Sequence, residues 1–168
     1  MFGLSTHERD AEFTRFARDS AATLKRTAYL LTGDRDLAAD LVQEALLRTY
    51  LAWRRVRSGE ATAYARRVVV NLNIDRWRKR SPVPAEVPEK ADPHDPEGRV
   101  DDHDEVLRML ETLPPQQRRV IVLRYYNDLS EADTAACLGV STGAVKSAAS
   151  RGLATLRAAY APAEGRNL

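Results

Sequence analysis

Apolar residues recur at three- and four-residue intervals along most of the chain, as they do in amphipathic helices that pack by one face. From about Glu8 to Leu31 the stripe is Phe13, Phe16, Ala17, Leu24, Ala28 and Leu31. Thr32-Gly33-Asp34 then supplies a stop and a start: Gly33 can take the left-handed C-terminal position, and Asp34 can cap the next helix. That second helix, Asp34 to about Arg54, is expected to bury Leu37, Leu41, Ala45 and Tyr50 or Trp53. Its other face carries Asp40, Gln43, Glu44 and Arg48. After a break at Arg57-Ser58-Gly59, a third helix runs from about Ala61 to Arg80. It carries two apolar stripes, one of Ala61, Ala65, Val68 and Leu72 and another of Val70, Ile74 and Trp77. Tyr64, Arg67, Asn71, Asp75 and Arg78 lie between the stripes. A helix gripped on two sides can present that polar edge to a ligand; alternatively, Asn71 and Asp75 satisfy buried backbone or each other.

Past residue 103 the helical pattern resumes. Asp104 to Leu113 reads as a short helix stopped by Pro114-Pro115, and Pro115 suits the first turn of the next, which extends through Val120, Ile121, Leu123 and Tyr126. Asn127-Asp128 turns the chain, and Ser130 with Asp133 resembles a capping box for a helix over Glu131–Leu138. Gly139-Val140-Ser141 leads into a last helix to about Tyr160. A DNA-binding helix-turn-helix needs a small residue where its helices cross, a left-handed turn residue four positions on, and apolar residues that lock the pair. Ala135, Gly139 and the set Thr134, Leu138, Val140, Val145 and Ala148 supply these. In the last helix Val145, Ala148, Ala149, Leu153, Leu156 and Tyr160 are expected to face inward. Gly143, Lys146, Ser147, Ser150, Arg151, Ala154 and Arg157 face outward, where Lys146 and Arg151 can reach guanine edges or phosphates.

Between these halves the pattern fails. Five of the 8 prolines fall at 82, 84, 88, 93 and 96, a spacing through which helix cannot persist. Residues 81–103 therefore read as a flexible acidic tether, able to span up to ~75 Å at ~3.3 Å per residue. Modules on either side could sit about two turns of DNA apart. The expected architecture is all-α, with two small helical domains over 1–80 and 104–168.

Charge sharpens this division. The net +2 over 168 residues separates into +6 for residues 1–80, −7 for 81–105 and +3 for 106–168. Residues 48–80 alone hold ten basic side chains against Glu60 and Asp75. The layout fits two polyanion-facing modules joined by a segment that polyanions repel, or simply a solvated arginine-rich surface. The 1 Cys excludes an internal disulfide framework and suits a reducing cytoplasm. Neither a signal peptide nor an apolar run of ~18 residues is present, so no membrane insertion is expected. Enzyme chemistry finds little support. His7, His94 and His103 lie outside predicted packed elements, Cys137 reads as core, and no phosphate loop, paired-His helix or serine elbow occurs. No metal and no cofactor are expected.

Three stretches in order resemble a known family. "DLAADLVQEALLRTYLAW" (Asp36–Trp53), "AYARRVVVNLNIDRWRKR" (Ala63–Arg80) and the segment from Leu113 to Arg157 are together similar to a small bacterial extracytoplasmic-function (group IV) sigma factor. The resemblance spans roughly residues 10–160. It implies a region 2-like three-helix bundle and a region 4-like helix-turn-helix domain, and as partners core RNA polymerase (its clamp coiled coil and flap), promoter DNA and an anti-sigma factor. By this likeness Asp40, Leu41, Val42, Gln43 and Glu44 dock on polymerase. Arg54, Arg55, Arg57, Tyr64, Arg66, Arg67, Asn71 and Arg78 melt and read the minus-ten element, with residues 54–60 in the position of a base-capturing loop. Arg124, Ser141, Thr142, Lys146, Ser147, Ser150 and Arg151 bind the minus-thirty-five element. The loop "RRVRSGE" departs from the commoner Phe-Arg-Gly-like sequence, and Ala148 and Ala149 stand where relatives often carry larger residues. Neither base preference therefore transfers. The other reading of the same residues is a stand-alone helix-turn-helix regulator of duplex DNA, for which the docking-like motif and basic third helix would be superfluous.

Overall fold

The computed structural model describes residues 3–57, 59–80 and 102–160, the side chains of 102–104 excepted, and every regular element among them is helical. Residues 81–101 of the expected tether (81–103) and the tail after Tyr160 lie outside the described residues, while positions 102 and 103, expected in the tether, already belong to a helix that starts at Asp102. Helix α1 (Thr6–Thr32) starts earlier than its apolar stripe suggests because Ser5 and Glu8 form a reciprocal capping box, Glu8 N–H to Ser5 Oγ at 3.2 Å and Ser5 N–H to Glu8 Oε2 at 2.8 Å. It ends at Gly33, which is left-handed (φ 72°) and returns its N–H to Tyr29. Asp34 caps α2 (Arg35–Leu51), accepting the Leu37 N–H at 3.0 Å.

Helix α2 stops three residues short of the expected Arg54. Trp53–Val56 forms the separate single turn α3, which drives Trp53 and Val56 inward against Phe13 and Phe16. Phe13 meets the Trp53 ring edge-on, with centroids 5.2 Å apart. Helix α4 (Ala61–Arg80) lies across α1 and α2, and Ala28, Ala45 and Ala65 are fully buried at the crossings, where the lack of bulk lets the backbones approach. Of the second stripe on α4, Val70 is buried and Ile74 half-buried. Trp77, expected to join them, is 52% exposed and belongs to none of the buried clusters.

The C-terminal helices are α5 (Asp102–Glu111), α6 (Pro115–Ile121), α7 (Glu131–Leu138) and α8 (Thr142–Tyr160). The helix expected to continue to Tyr126 changes its winding at Val122. Val122–Tyr126 is a π-helical turn closed by Asn127 N–H to the Val122 carbonyl at 3.0 Å. The wider turn leaves Tyr125 and Tyr126 exposed while Val122 and Leu123 stay in the core. Val120, Ala135 and Val145 form the helix-turn-helix core with Leu138, Val140, Ala148 and Ala149 around them. Gly139 takes the left-handed turn (φ 66°), and Ser130 caps α7 through the Asp133 N–H at 3.0 Å. Tyr160, expected inward, is exposed at the helix end.

Helices α8 and α6 cross at Gly152, where an added Cβ would stand 3.1 and 3.3 Å from the Ile121 side chain. Gly152→Val should therefore lose about 1–3 kcal/mol of stability through overpacking. Gly152→Ala should stay near neutral, because its close contact offsets a helix-propensity gain of about 1 kcal/mol. Urea titrations of the two variants check this ordering, and equal midpoints would contradict it.

The N-terminal and C-terminal helices share a core. Leu30, Leu31 and Val70 sit in one buried cluster with Leu110, Leu113, Ile121, Val122, Leu123 and Cys137. The second stripe of α4 is thus matched by the other half of the chain, a pairing that the periodicity of α4 alone does not identify.

Candidate nucleic-acid interface

The residues expected to dock on polymerase divide between the two sides of α2. Asp40 and Gln43 are exposed, and Glu44 is half-buried with its carboxylate on Arg48 Nε at 2.8 Å. Leu41 and Val42 instead point into the bundle and are buried, so they fix the helix in place and offer a partner no surface. The helical repeat accounts for this: positions 40, 43, 44, 47 and 51 share one face. On that face Leu47 is 54% exposed and Leu51 76%. Sequence reasoning misses both when apolar residues are assigned to the core, although their four-residue steps from Gln43 carry the signal.

The basic segment surrounds α3 and the exposed edge of α4. Arg54, Arg55 and Arg57 are exposed. Glu12 of α1 holds this corner from behind: its carboxylate accepts the Trp53 indole N–H at 3.4 Å and lies 3.7 Å from Arg57 Nε. Asn71, Asp75, Arg76, Arg78, Lys79 and Arg80 are exposed, and no described side-chain hydrogen bond engages the Asn71 amide. The mutual satisfaction of Asn71 and Asp75 is therefore not what α4 shows. Tyr64 and Arg66 are half-buried, and with the exposed Arg67 they line a cleft of about 450 Å³ whose other wall is Leu129, Asp133, Ala136 and Cys137. Burial pushes the Cys137 thiol up, with Arg66 and Arg67 pulling weakly the other way. A protonated thiol packed in a core suits structure rather than nucleophilic chemistry.

In the helix-turn-helix, Thr142, Lys146, Ser147, Ser150 and Arg151 lie along the solvent side of α8, all of them exposed. Ser141 uses its hydroxyl to cap the helix, accepting the Ala144 N–H at 3.1 Å. Lys146 Nζ lies 3.6 Å from the Glu131 carboxylate of α7. Arg124 is half-buried on the π turn, where its guanidinium donates to the Leu129 carbonyl and stacks over the Tyr125 ring. Sequence reasoning also missed Arg118 and Arg119. Both are held at the junction of the two halves, and burial is the main cause lowering the pKa of each.

Residues 16–83 match the family model for sigma-70 region 2, and residues 103–156 that for sigma-70 region 4. The chain is 39% identical over 154 residues to the RNA polymerase sigma-E factor of Streptomyces avermitilis, covering 90% of this chain and 86% of that one. Identity to the sigma-E factor of Streptomyces coelicolor is 41% over 151 residues, covering 87% and 84%. Among solved structures, it is similar to the sigma factor RpoE of Bartonella quintana, crystallised with the anti-sigma factor NepR. The TM-score is 0.70 at 25% identity over 87% of this chain and 94% of that one. It is also similar to the extracytoplasmic-function sigma factor SigJ of Mycobacterium tuberculosis, with a TM-score of 0.62 at 28% identity over 86% and 53%. Two family models in order, covering most of the chain, meet an exposed helix-turn-helix surface and a basic α4: the protein belongs to the sigma-70 family as an extracytoplasmic-function sigma factor, which binds core RNA polymerase and directs promoter-specific initiation.

Proposed function

We propose that the work of this sigma factor is divided among three exposed faces. The outer face of α2 (Asp40, Gln43, Glu44) docks on the clamp coiled coil. The corner at Arg54, Arg55 and Arg57, with Tyr64, Arg66, Arg67, Asn71 and Arg78, takes the non-template strand at the minus-ten element. The α8 surface of Thr142, Lys146, Ser147, Ser150 and Arg151, with Ser141 at its cap and Arg124 behind it, takes the minus-thirty-five duplex. The two functional units are residues 1–80 and 104–168, with the acidic 81–103 between them. The observation that carries this reading is the placement of basic and hydrogen-bonding side chains on the solvent side of a closed helix-turn-helix while their apolar neighbours fill its core. Phosphate contacts then set register and base-edge contacts set sequence. The chain supplies no catalytic group; polymerase holds the active site. It works in the cytoplasm, where the chromosome is, and an anti-sigma protein of the kind crystallised with RpoE holds it inactive.

Run-off transcription with core polymerase on fragmented genomic DNA tests the assignment. Discrete start sites are expected with the wild type, and none with either Gln43→Ala/Glu44→Ala or Lys146→Ala/Arg151→Ala. Duplex binding without transcription, sensitive only to the second pair, would favour the stand-alone regulator.

Glu12 makes a separate prediction. Glu12→Ala frees the Trp53 indole and Arg57 together, so the loop loses its support while α2 and α8 are untouched. Promoter opening, read by permanganate reactivity of unpaired thymines, should fall several-fold, with core binding unchanged. Unchanged reactivity would remove Glu12 from the opening step.

A further inference from the structure

The docking face of α2 and the basic corner meet at one side chain. Arg48 lies one helical turn after Glu44 and just before Leu51, at the edge of the face that carries the docking residues. It is exposed, and its Nε–H donates to the Glu44 carboxylate at 2.8 Å. The same guanidinium lines a groove of about 410 Å³ with Leu51, Ala52, Arg54, Arg55 and Tyr64. The break between α2 and α3 makes this groove. Helix α2 closes with the Ala52 N–H on the Arg48 carbonyl at 3.0 Å, and the following turn α3 sets Arg54 and Arg55 beside the helix end. Tyr64 arrives from α4, half-buried, its ring packed against the clusters that join α4 to α1, α2 and α3.

None of the lining residues is acidic, and Arg54 and Arg55 have no ion-pair partner among the described residues. Guanidinium forks suit phosphate oxygens. A fixed aromatic ring beside an exposed leucine suits the open face of a base, which a paired duplex hides in its stack. Cations with aromatic and aliphatic walls therefore fit an unpaired strand better than a duplex. Arg48 differs from the other two arginines of the groove, because Glu44 already holds it. While that pair stands, Arg48 and Glu44 neutralise each other, and neither offers its full charge to a partner. A partner that engages the Glu44 carboxylate frees the guanidinium for phosphate, and a phosphate that takes the guanidinium frees the carboxylate.

We propose that Arg48 binds a phosphate of the unpaired non-template strand in this groove, and that docking of Glu44 on polymerase releases it to do so. This inference rests on the division of faces given above and adds to it Arg48, which neither face contains. Strand capture and polymerase docking then favour each other, and linkage makes the effect equal in both directions. Because exposed pairs one turn apart on a helix are weak, the coupling is about twofold. The phosphate contact itself has the larger effect.

Binding of a fluorescein-labelled oligothymidylate to the full chain, read by anisotropy, tests both parts, since stacking on a single strand requires no particular sequence. In about 0.1 M salt, charges more than ~10 Å from the strand are largely screened. Arg48→Ala should bind about fivefold more weakly, and its plot of log affinity against log salt should flatten by about 0.7, the share of one single-strand phosphate. Arg48→Lys should keep the wild-type slope. Arg35→Ala removes the same charge about 20 Å away, at the start of α2, and should leave affinity unchanged. Glu44→Gln should tighten binding about twofold, and that gain should vanish in the Arg48→Ala background. Helix content by circular dichroism should be the same in every variant, because these side chains stand in water. If Arg48→Ala bound like the wild type, or lost no more than Arg35→Ala, the groove contact would be overturned. A Glu44→Gln gain that persists without Arg48 would overturn the coupling. Arg54→Ala/Arg55→Ala separates the inference from the reading it rests on. A loss there with none at Arg48 leaves the corner standing and sinks the role of Arg48, whereas no loss at either place removes the corner itself.

Discussion

Replacing Leu47 and Leu51 together by aspartate should weaken binding to core RNA polymerase by about two orders of magnitude and leave the fold intact. Both side chains stand in water on the face that carries Asp40 and Gln43. Covering a leucine at an interface is worth about 1.5–3 kcal/mol, and a carboxylate put in its place must be desolvated besides. A hundredfold loss corresponds to about 2.7 kcal/mol, within reach of these two positions. Because neither side chain packs in the free protein, the melting midpoint should hardly move, as exposed substitutions usually change stability by less than about 0.5 kcal/mol. Val42→Asp makes the control. It falls inside the same docking motif but is 1% exposed, packed against the bundle core. An unpaired buried charge there should unfold the N-terminal helices and abolish binding indirectly. Fluorescence anisotropy with core enzyme, beside thermal melting, separates the two outcomes. If Leu47→Asp/Leu51→Asp bound like wild type, the docking face would have to lie elsewhere.

The contrast between Leu47 and Val42 also shows what the sequence could convey. Caps were legible because they are local. Gly33, Asp34, Ser130 and Gly139 occupy the positions their chemistry requires, and each satisfies or terminates a helix end within four residues. The helix-turn-helix was legible for the same reason, since its locking residues are close in sequence. Faces were harder. The second stripe on α4 announced a partner without naming it, because Leu30, Val70 and Leu123 come together only when the chain folds back on itself. Arg119 is one surface cation among many by sequence, and only the fold buries it against Asn73. The π turn at Val122–Tyr126 had no signal in the apolar spacing, as its extra residue per turn is set by the Asn127 bonds that close it. Residue roles in the motifs were legible only as a group: the docking stretch includes Leu41 and Val42, and their inward orientation comes from the helical repeat rather than from the motif.

Lys146→Ala/Arg151→Ala should cost duplex binding at the minus-thirty-five element roughly 10²-fold, and the way that loss depends on salt should separate their roles. Each bidentate base contact discriminates by about 1–3 kcal/mol, whereas a phosphate contact weakens all sequences alike. Loss of one phosphate contact should flatten the plot of log affinity against log salt by about 0.9. Lys146 starts from an ion pair with Glu131 at 3.6 Å, and both partners are open to water. Such pairs are worth about 0–1 kcal/mol, so swinging the ammonium from Glu131 to DNA costs little. Glu131→Gln should accordingly tighten DNA binding slightly and steepen its salt dependence, because a carboxylate near the backbone is removed and Lys146 is freed. Arg151 has no such partner among the described residues, and its side chain projects from the exposed face of α8 one turn past Ser147. If Arg151→Ala relaxes sequence preference at one base pair while Lys146→Ala shifts only the salt slope, Arg151 reads and Lys146 anchors. The opposite pattern would exchange the two assignments, and equal, sequence-independent losses would leave both on the phosphates and move base reading to Ser147 and Ser150.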